Sequence, residues 1–202
     1  MIRDLDATLE QLLTTRASAG SELASADISF EIPDETWRNS LSALTVNCYL
    51  YDIHENLDLR NYEPLIQRSN SGSAAVHRQQ PRRINCAYCI TAWSTASGDP
   101  VFEEHRVLSQ ILRVLLRNPT VPPGVLQGSL VNQIPPYPTV AASPDGIKNN
   151  PEFWGALDQQ LKPSLSYILT IAMMMDDEPD ELTPVVEEVR VIERAMEEFE
   201  SE

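Results

Sequence analysis

The amino-acid sequence predicts one domain in which helices cover a β-sheet, on three grounds. Apolar and polar residues alternate over 44–53, 84–93 and 164–175, the period-two signature of strands. Leucine-rich runs at 1–15 and 102–115 repeat every three or four residues instead, as amphipathic helices do. A chain of 202 residues, 42% of them hydrophobic, is long enough for one sizeable core and cramped for two.

At the amino terminus, Ile2, Leu5, Leu9, Leu12 and Leu13 share a helical face, and Gly20 with its small neighbours ends that helix. Ile28, Phe30 and Ile32 alternate up to Pro33 as a short strand. In the long strand over 44–53, Leu44, Val46, Cys48 and Leu50 fall on one face, and Asn47, Tyr49 and Tyr51 on the other. A turn at 55–60 leads to a strand at 62–66. Residues 67–83 contain Arg68, Arg78, Arg82 and Arg83, no acidic residue and almost no aliphatic one, which predicts a mobile loop.

Next, Ile84, Cys86, Tyr88, Ile90 and Ala92 alternate with Asn85, Ala87, Cys89, Thr91 and Trp93 in a largely buried strand. Asp99 and Pro100 are an N-cap and first-turn pair for a helix with Phe102, His105, Leu108, Ile111, Leu112 and Leu115 on its covered face. Glycines and prolines cut 122–142 into pieces suited to edge strands or a hairpin, and Asn150 with Pro151 begins a short helix. The last strand, over 164–175, sets Leu165, Tyr167, Leu169, Ile171, Met173 and Met175 on one face. Thr183 and Pro184 repeat the cap signal. Leu182, Val185, Val189, Ile192, Met196 and Phe199 then mark the apolar stripe of an amphipathic C-terminal helix with an acidic back.

The net charge of −15 is concentrated at one end, because residues 176–202 hold 12 acidic and 2 basic side chains. Nothing supplies the dense basic face that phosphate neutralisation requires, which argues against a nucleic-acid partner. Charges at Arg3, Asp4, Asp6 and Glu10 interrupt the apolar run a signal peptide needs, and the apolar stretch at 167–175 is far short of the roughly 20 residues that span a bilayer. No membrane insertion and a cytoplasmic place of assembly are the expectation. Three cysteines, all inside strand-like segments, suit a reducing compartment.

Catalytic, metal and cofactor sites are not expected. Cys86 and Cys89 are three apart in a strand, so their thiols point to opposite faces and cannot converge on one metal. Asp52, Glu55 and Asp58 could form an acid and base set, but carboxylates beside a turn are more often solvated, with Arg60 pairing Glu55 to fix the turn. A small hydrolase would reveal itself by polar side chains converging in a pocket. Trp93 and Trp154 suit a core that anchors helices on the sheet, whereas Tyr49 and Tyr51 suit a contact with a neighbouring subunit.

Four blocks in order, NCYLYDIHENLDLRN at 47–61, AYCITAWS at 87–94, VLSQILRVLLRNPTVPPGVLQGSL at 107–130 and EFWGALDQQLKPSLSYILTI at 152–171, carry a family resemblance. The chain resembles the tube-terminator, or cap, family of phage-tail-like contractile injection systems, related in role to phage tail terminators. The resemblance implies an α+β fold over 1–175: a mixed, mostly antiparallel sheet flanked by helices, tail-terminator-like, with 176–202 as an acidic extension. It implies a non-enzymatic cap that binds the distal end of the inner tube as a hexameric ring, terminates tube growth and helps anchor the last sheath layer. Its partners would be further copies of itself, the inner tube protein and the sheath protein. The alternatives are another ring adaptor, such as a sheath or baseplate connector, and then a monomeric binding adaptor or a small hydrolase.

On this reading Tyr49, Tyr51, Glu55, Asn56 and Arg60, with Arg68, Arg78, Arg82 and Arg83, are candidate subunit or tube contacts. The stripe formed by Leu182, Val185, Val189, Ile192, Met196 and Phe199 is a candidate clasp on an adjacent subunit. Two features depart from the pattern: cysteines at 86 and 89 where aliphatic residues are expected, and an acidic tail to which the resemblance gives no role.

Overall fold

The computed structural model describes residues 1–63, 65–68, 74–133, 137–144, 146–175 and 182–184, with backbone alone at 65–68, 74–78 and 182–184. It divides into two compact units, Met1–Arg60 with Pro81–Met173, and Asn61–Gln80 with Met174–Glu202. In chain order the elements are α1 (Ile2–Arg16), α2 (Glu22–Ser25), β1 (Asp27–Ser29), α3 (Glu35–Ser40), β2 (Thr45–Glu55), β3 (Leu65–Arg68) and β4 (Ala74–Arg78). There follow β5 (Arg82–Trp93), α4 (Pro100–Arg117), β6 (Thr139–Ala141), α5 (Asn150–Ala156), β7 (Leu165–Met173) and β8 (Leu182–Pro184), with 3₁₀ turns at Pro123–Val125 and Gly128–Asn132.

The first unit is a five-stranded sheet in the order β1-β2-β5-β7-β6, antiparallel except where β1 runs parallel to β2. Its three long strands are those the alternation predicts. One face carries Val46 and Cys48 from β2, Cys86, Tyr88 and Ile90 from β5, and Tyr167, Leu169 and Ile171 from β7, all buried. Against it lie α1, through Leu5, Leu9, Leu12 and Leu13, and α4, through Val107, Leu108, Ile111, Val114 and Leu115. Burying such side chains contributes about 1.5–3 kcal/mol each, which is what holds both helices down. The first turn of α4 departs from the expected face, since Phe102 and His105 project past the sheet and are exposed.

α1 is fastened at its amino end. The Asp4 carboxylate pairs with the Met1 amine at 3.2 Å and accepts hydrogen bonds from the Ser129 backbone N–H at 3.0 Å and hydroxyl at 2.6 Å. These donors pull the Asp4 carboxyl down to about 2. One turn further, Thr8 accepts from the backbone N–H of Gln127 at 3.0 Å, and the Tyr88 hydroxyl donates to Asp6 at 2.8 Å.

The opposite face of the sheet holds a smaller cluster of Trp37, Cys89, Trp93 and Trp154, brought together by α3, β5 and α5. Trp37 meets Trp93 edge to face with ring centres 5.4 Å apart. α3 begins where Asp34 accepts from the Trp37 N–H at 2.7 Å, an N-cap that satisfies an otherwise orphaned donor. Asn149 caps α5 in the same way, one residue before the predicted start. Cys86 lies in the core of the first face and Cys89 in that of the second, as their spacing requires.

The second unit contains a three-stranded sheet in the order β3-β4-β8, with both pairings antiparallel. This corrects the loop expected over 67–83. Residues 67–68 lie in β3, 74–78 form β4, and Arg82 and Arg83 already belong to β5, opposite Met173 and Ala172 of β7. The ladder is made by backbone groups, so a segment poor in aliphatic side chains can still pair. Thr183 and Pro184 lie in β8, next to β4, rather than opening a helix. Of the predicted tail stripe Leu182 is the first residue of β8, while Val185, Val189, Ile192, Met196 and Phe199 lie outside the described residues.

Candidate assembly surface

The turn that closes β2 is built by its own polar side chains. The Arg60 guanidinium grips the Glu55 carboxylate with two nitrogens, Nε donating at 2.9 Å to Oε1 and Nη2 to Oε2. Arg82 approaches the same carboxylate from β5, at 3.7 Å. This arginine pairing holds Glu55 below the usual glutamate range. Asn56 ties the turn at three points: its backbone N–H donates to the Arg83 carbonyl at 2.7 Å, its amide donates to Asn85 at 3.2 Å, and its side-chain oxygen accepts from the Leu59 N–H at 3.1 Å. Glu55, Asn56, Arg60, Arg82 and Arg83 are therefore brought together in one polar frame.

Tyr49 and Tyr51 take a different position from the open strand face the alternation implies. Both are half-buried against Phe153 of α5, with ring centres 6.3 and 5.7 Å away, and the Tyr51 hydroxyl sits 3.5 Å from that of Ser166. Arg68 and Arg78 end β3 and β4, and their side chains are outside the description.

Two features escaped the sequence. The first is Leu57 and Leu59, which the frame holds out in water at 64% and 47% exposure. Large apolar side chains fixed on a rigid, solvent-facing turn are the material of interface anchors. The second is an open cleft of about 740 Å³ between α5 and the sheet, where Tyr51, Asp52, His54 and Asn85 meet Lys148, Glu152 and Phe153. The Asp52 carboxylate can only accept, so the 2.8 Å contact puts the His54 proton on Nδ1, and Nε2 accepts from the Asn85 amide at 3.3 Å. Thr170 in turn donates to Asn85 at 2.8 Å.

Polar side chains do converge here, but in a closed relay. The histidine nitrogen that a base would use accepts from Asn85, and among the described residues no hydroxyl or thiol is hydrogen-bonded to it. The cysteines offer no alternative nucleophile, because burial pushes Cys86 and Cys89 up to about 11 and Cys48 higher. Among the described residues, no group of three His, Cys, Asp or Glu side chains is placed to hold a metal ion, and no helix is long and apolar enough to cross a membrane.

Known structures share this architecture. The sheath/tube terminator of the PVC extracellular contractile injection system, in its extended state, superposes with a TM-score of 0.65 at 24% identity, over 96% of this chain and 64% of that one. The tube-terminating cap of the anti-feeding prophage gives 0.62 at 23% identity, over 95% and 61%. Both likenesses are of fold, and this chain spans less than two thirds of either protein. No curated protein sequence matches the chain. A sequence model of the Pvc16 N-terminal domain family, however, matches residues 4–188. With so much of its length accounted for, the chain belongs to the Pvc16 N-terminal domain family.

Proposed function

We propose that this chain is the structural cap of a contractile injection particle: it binds the distal end of the inner tube as a hexameric ring, stops tube growth and helps anchor the last sheath layer. The supporting observation is family membership across residues 4–188, together with a fold shared over 95% or more of the chain with a sheath/tube terminator and a tube-terminating cap. In this reading residues 1–175 are the terminator domain and 176–202 an acidic extension, and the work is done by surfaces rather than by chemistry.

A ring subunit needs two different, complementary faces for its neighbours and a third for the tube. The polar frame around Glu55, with Arg82 and Arg83, is one candidate for such a surface, and Arg68 and Arg78 of the second unit are separate candidates, since guanidinium forks suit carboxylates on a tube rim or an adjacent subunit. The test is the length distribution of injection particles in a strain lacking this protein. Loss of a uniform tube end, restored by the wild-type chain, is expected. Normal, uniformly terminated particles without the protein would overturn the assignment.

A further inference from the structure

The outer face of α4 is bare along its length. Phe102, Arg106, Ser109, Arg113 and Leu116 follow one another at spacings of 4, 3, 4 and 3 and are all exposed, Phe102 at 63% and Leu116 at 61%. An open groove of about 690 Å³ runs beside them, from Asp99 and Phe102 to Gln110 and Arg113.

Charge is graded along this face. The acids lie at the amino end: Asp99 precedes the helix, Glu103 accepts from the Ser94 hydroxyl, and Glu104 accepts from the Ser94 N–H at 3.1 Å and pairs with Lys162. From 105 to 144 the sequence has no acidic residue. Glu22 of α2 holds Arg106 at 2.9 Å, whereas among the described residues the exposed Arg113 and Arg117 have no ion-pair partner. Leu116 therefore stands between two uncompensated cations, in a chain of net charge −15.

The chain itself carries a segment of matching pattern. β8 ends at Pro184, and 185–202 lie outside the described residues. Their sequence has neither glycine nor proline, and Val185, Val189, Ile192, Met196 and Phe199 repeat the α4 spacings of 4, 3, 4 and 3. Seven acidic side chains stand against Arg190 and Arg194, and the last four acids, within 197–202, all follow those arginines.

We infer that the outer face of α4 receives the C-terminal segment of a second copy, wound as a helix and laid parallel to α4. From Val185 to Phe199 such a helix covers about 21 Å, the distance from Phe102 to Leu116. Val185 then meets Phe102, Phe199 meets Leu116, the aliphatic stems of Arg106 and Arg113 line Val189 and Met196, and the last carboxylates reach Arg113 and Arg117. The reverse direction would set that acidic end on Asp99, Glu103 and Glu104. The two surfaces differ, so the contact is heterologous, the kind that closes into a ring when the rotation allows. The inference rests on the ring reading and gives the tail clasp its receptor.

The test uses the full-length chain. On oxidation Leu116→Cys/Phe199→Cys and Phe102→Cys/Val185→Cys should give disulfide-linked multimers, while Leu116→Cys/Val185→Cys, about 21 Å out of step, should not; background is low because Cys48, Cys86 and Cys89 are buried. Arg113→Glu/Arg117→Glu and Glu197→Arg/Glu198→Arg should each weaken self-association about tenfold in sedimentation velocity at low salt and recover when mixed. A linked monomer would seat the segment on its own chain, and loss of sheath-protein binding without loss of self-association would give α4 to the sheath. Either result overturns the inference and leaves the ring reading standing, and so does undiminished association of the charge variants with no linkage. If wild type stays monomeric even on purified tubes, the ring reading fails and the inference with it.

Discussion

Replacing Gly128 with alanine should destabilise the fold through two separable penalties, both visible at the joint between α1 and the 3₁₀ turn. Gly128 has φ +54, a left-handed conformation that costs an L-residue about 1–2 kcal/mol. At 2–4 °C per kcal/mol for a chain of this size, that alone lowers Tm by roughly 2–8 °C. The added Cβ would also stand 2.5–2.8 Å from the carboxyl atoms of Asp4, and so would push the carboxylate off its Ser129 donors.

The second penalty has a pH signature. Asp4, held down to about 2 in the fold, stabilises it above the ordinary aspartate value of 3.8 and loses that contribution as the pH falls from 3.8 toward 2. Urea unfolding of wild type, Gly128→Ala, Asp4→Ala and the double variant, at neutral and acid pH, separates the two effects. In the Asp4→Ala background the glycine substitution should cost only its backbone share. In the wild-type background it should cost more at neutral pH, and the excess should shrink below pH 3.8. Equal costs in both backgrounds at every pH would show that the carboxylate clamp does not hold α1.

Leu9→Ala, at a fully buried position under α1, should cost about 3–5 kcal/mol in the same urea assay. Lys162→Met should cost about 3–5 kcal/mol by stranding the largely buried Glu104, and Lys162→Met/Glu104→Met should regain most of it; a double variant no better than the single would discount the ion pair. Burial raises the Asp6 carboxyl above its ordinary value, so the fold is penalised for ionising it at neutral pH and relieved as the pH falls to the ordinary aspartate range. Asp6→Asn, which can still accept from the Tyr88 hydroxyl, should therefore stabilise the chain at neutral pH and leave it unchanged in acid, as read from urea midpoints at the two pH values.

The parts of the fold that the sequence reveals are those where one face is dry over many residues. β2, β5 and β7, and the helices α1 and α4, are long enough for a period to show, and Cys86 and Cys89 fall on opposite faces for the same reason. α3 is six residues with Trp37 its single buried side chain, so no period exists to detect, and only the Asp34 cap marks it. The strand expected over 62–66 meets β3 only at Leu65 and Ile66, and β4 is hidden for a different reason: its pairing is a property of backbone groups, and the side chains over 67–78 carry almost no apolar signal.

The cleft was illegible because of one residue. Strict alternation along β2 sets Asp52 and His54 on the face of Leu50, away from Tyr49 and Tyr51. The register with β5 slips between Leu50 and Asp52, however, so that Leu50 opposes Tyr88 and Asp52 opposes the next residue back, Ala87. A bulge of this kind inserts one unpaired residue and reverses the parity of everything beyond it. Asp52 and His54 consequently join Tyr51 over Ala87 and Asn85, which makes the relay, while Ile53 turns to the other face beyond the reach of α1 and α4 and stays 47% exposed. The same slip sets the side on which the chain leaves the sheet, so the turn that presents Leu57 and Leu59 is aimed by it as well. Deletion of Tyr51 would therefore remove the bulge yet leave Asp52, Ile53 and His54 opposite Ala87, Cys86 and Asn85, so the relay and the turn should keep their places and only the Tyr51 contacts with Phe153 and Ser166 should be lost. Loss of hydrogen-exchange protection at the Asn56 and Leu59 amides in such a variant would refute this reading of the register.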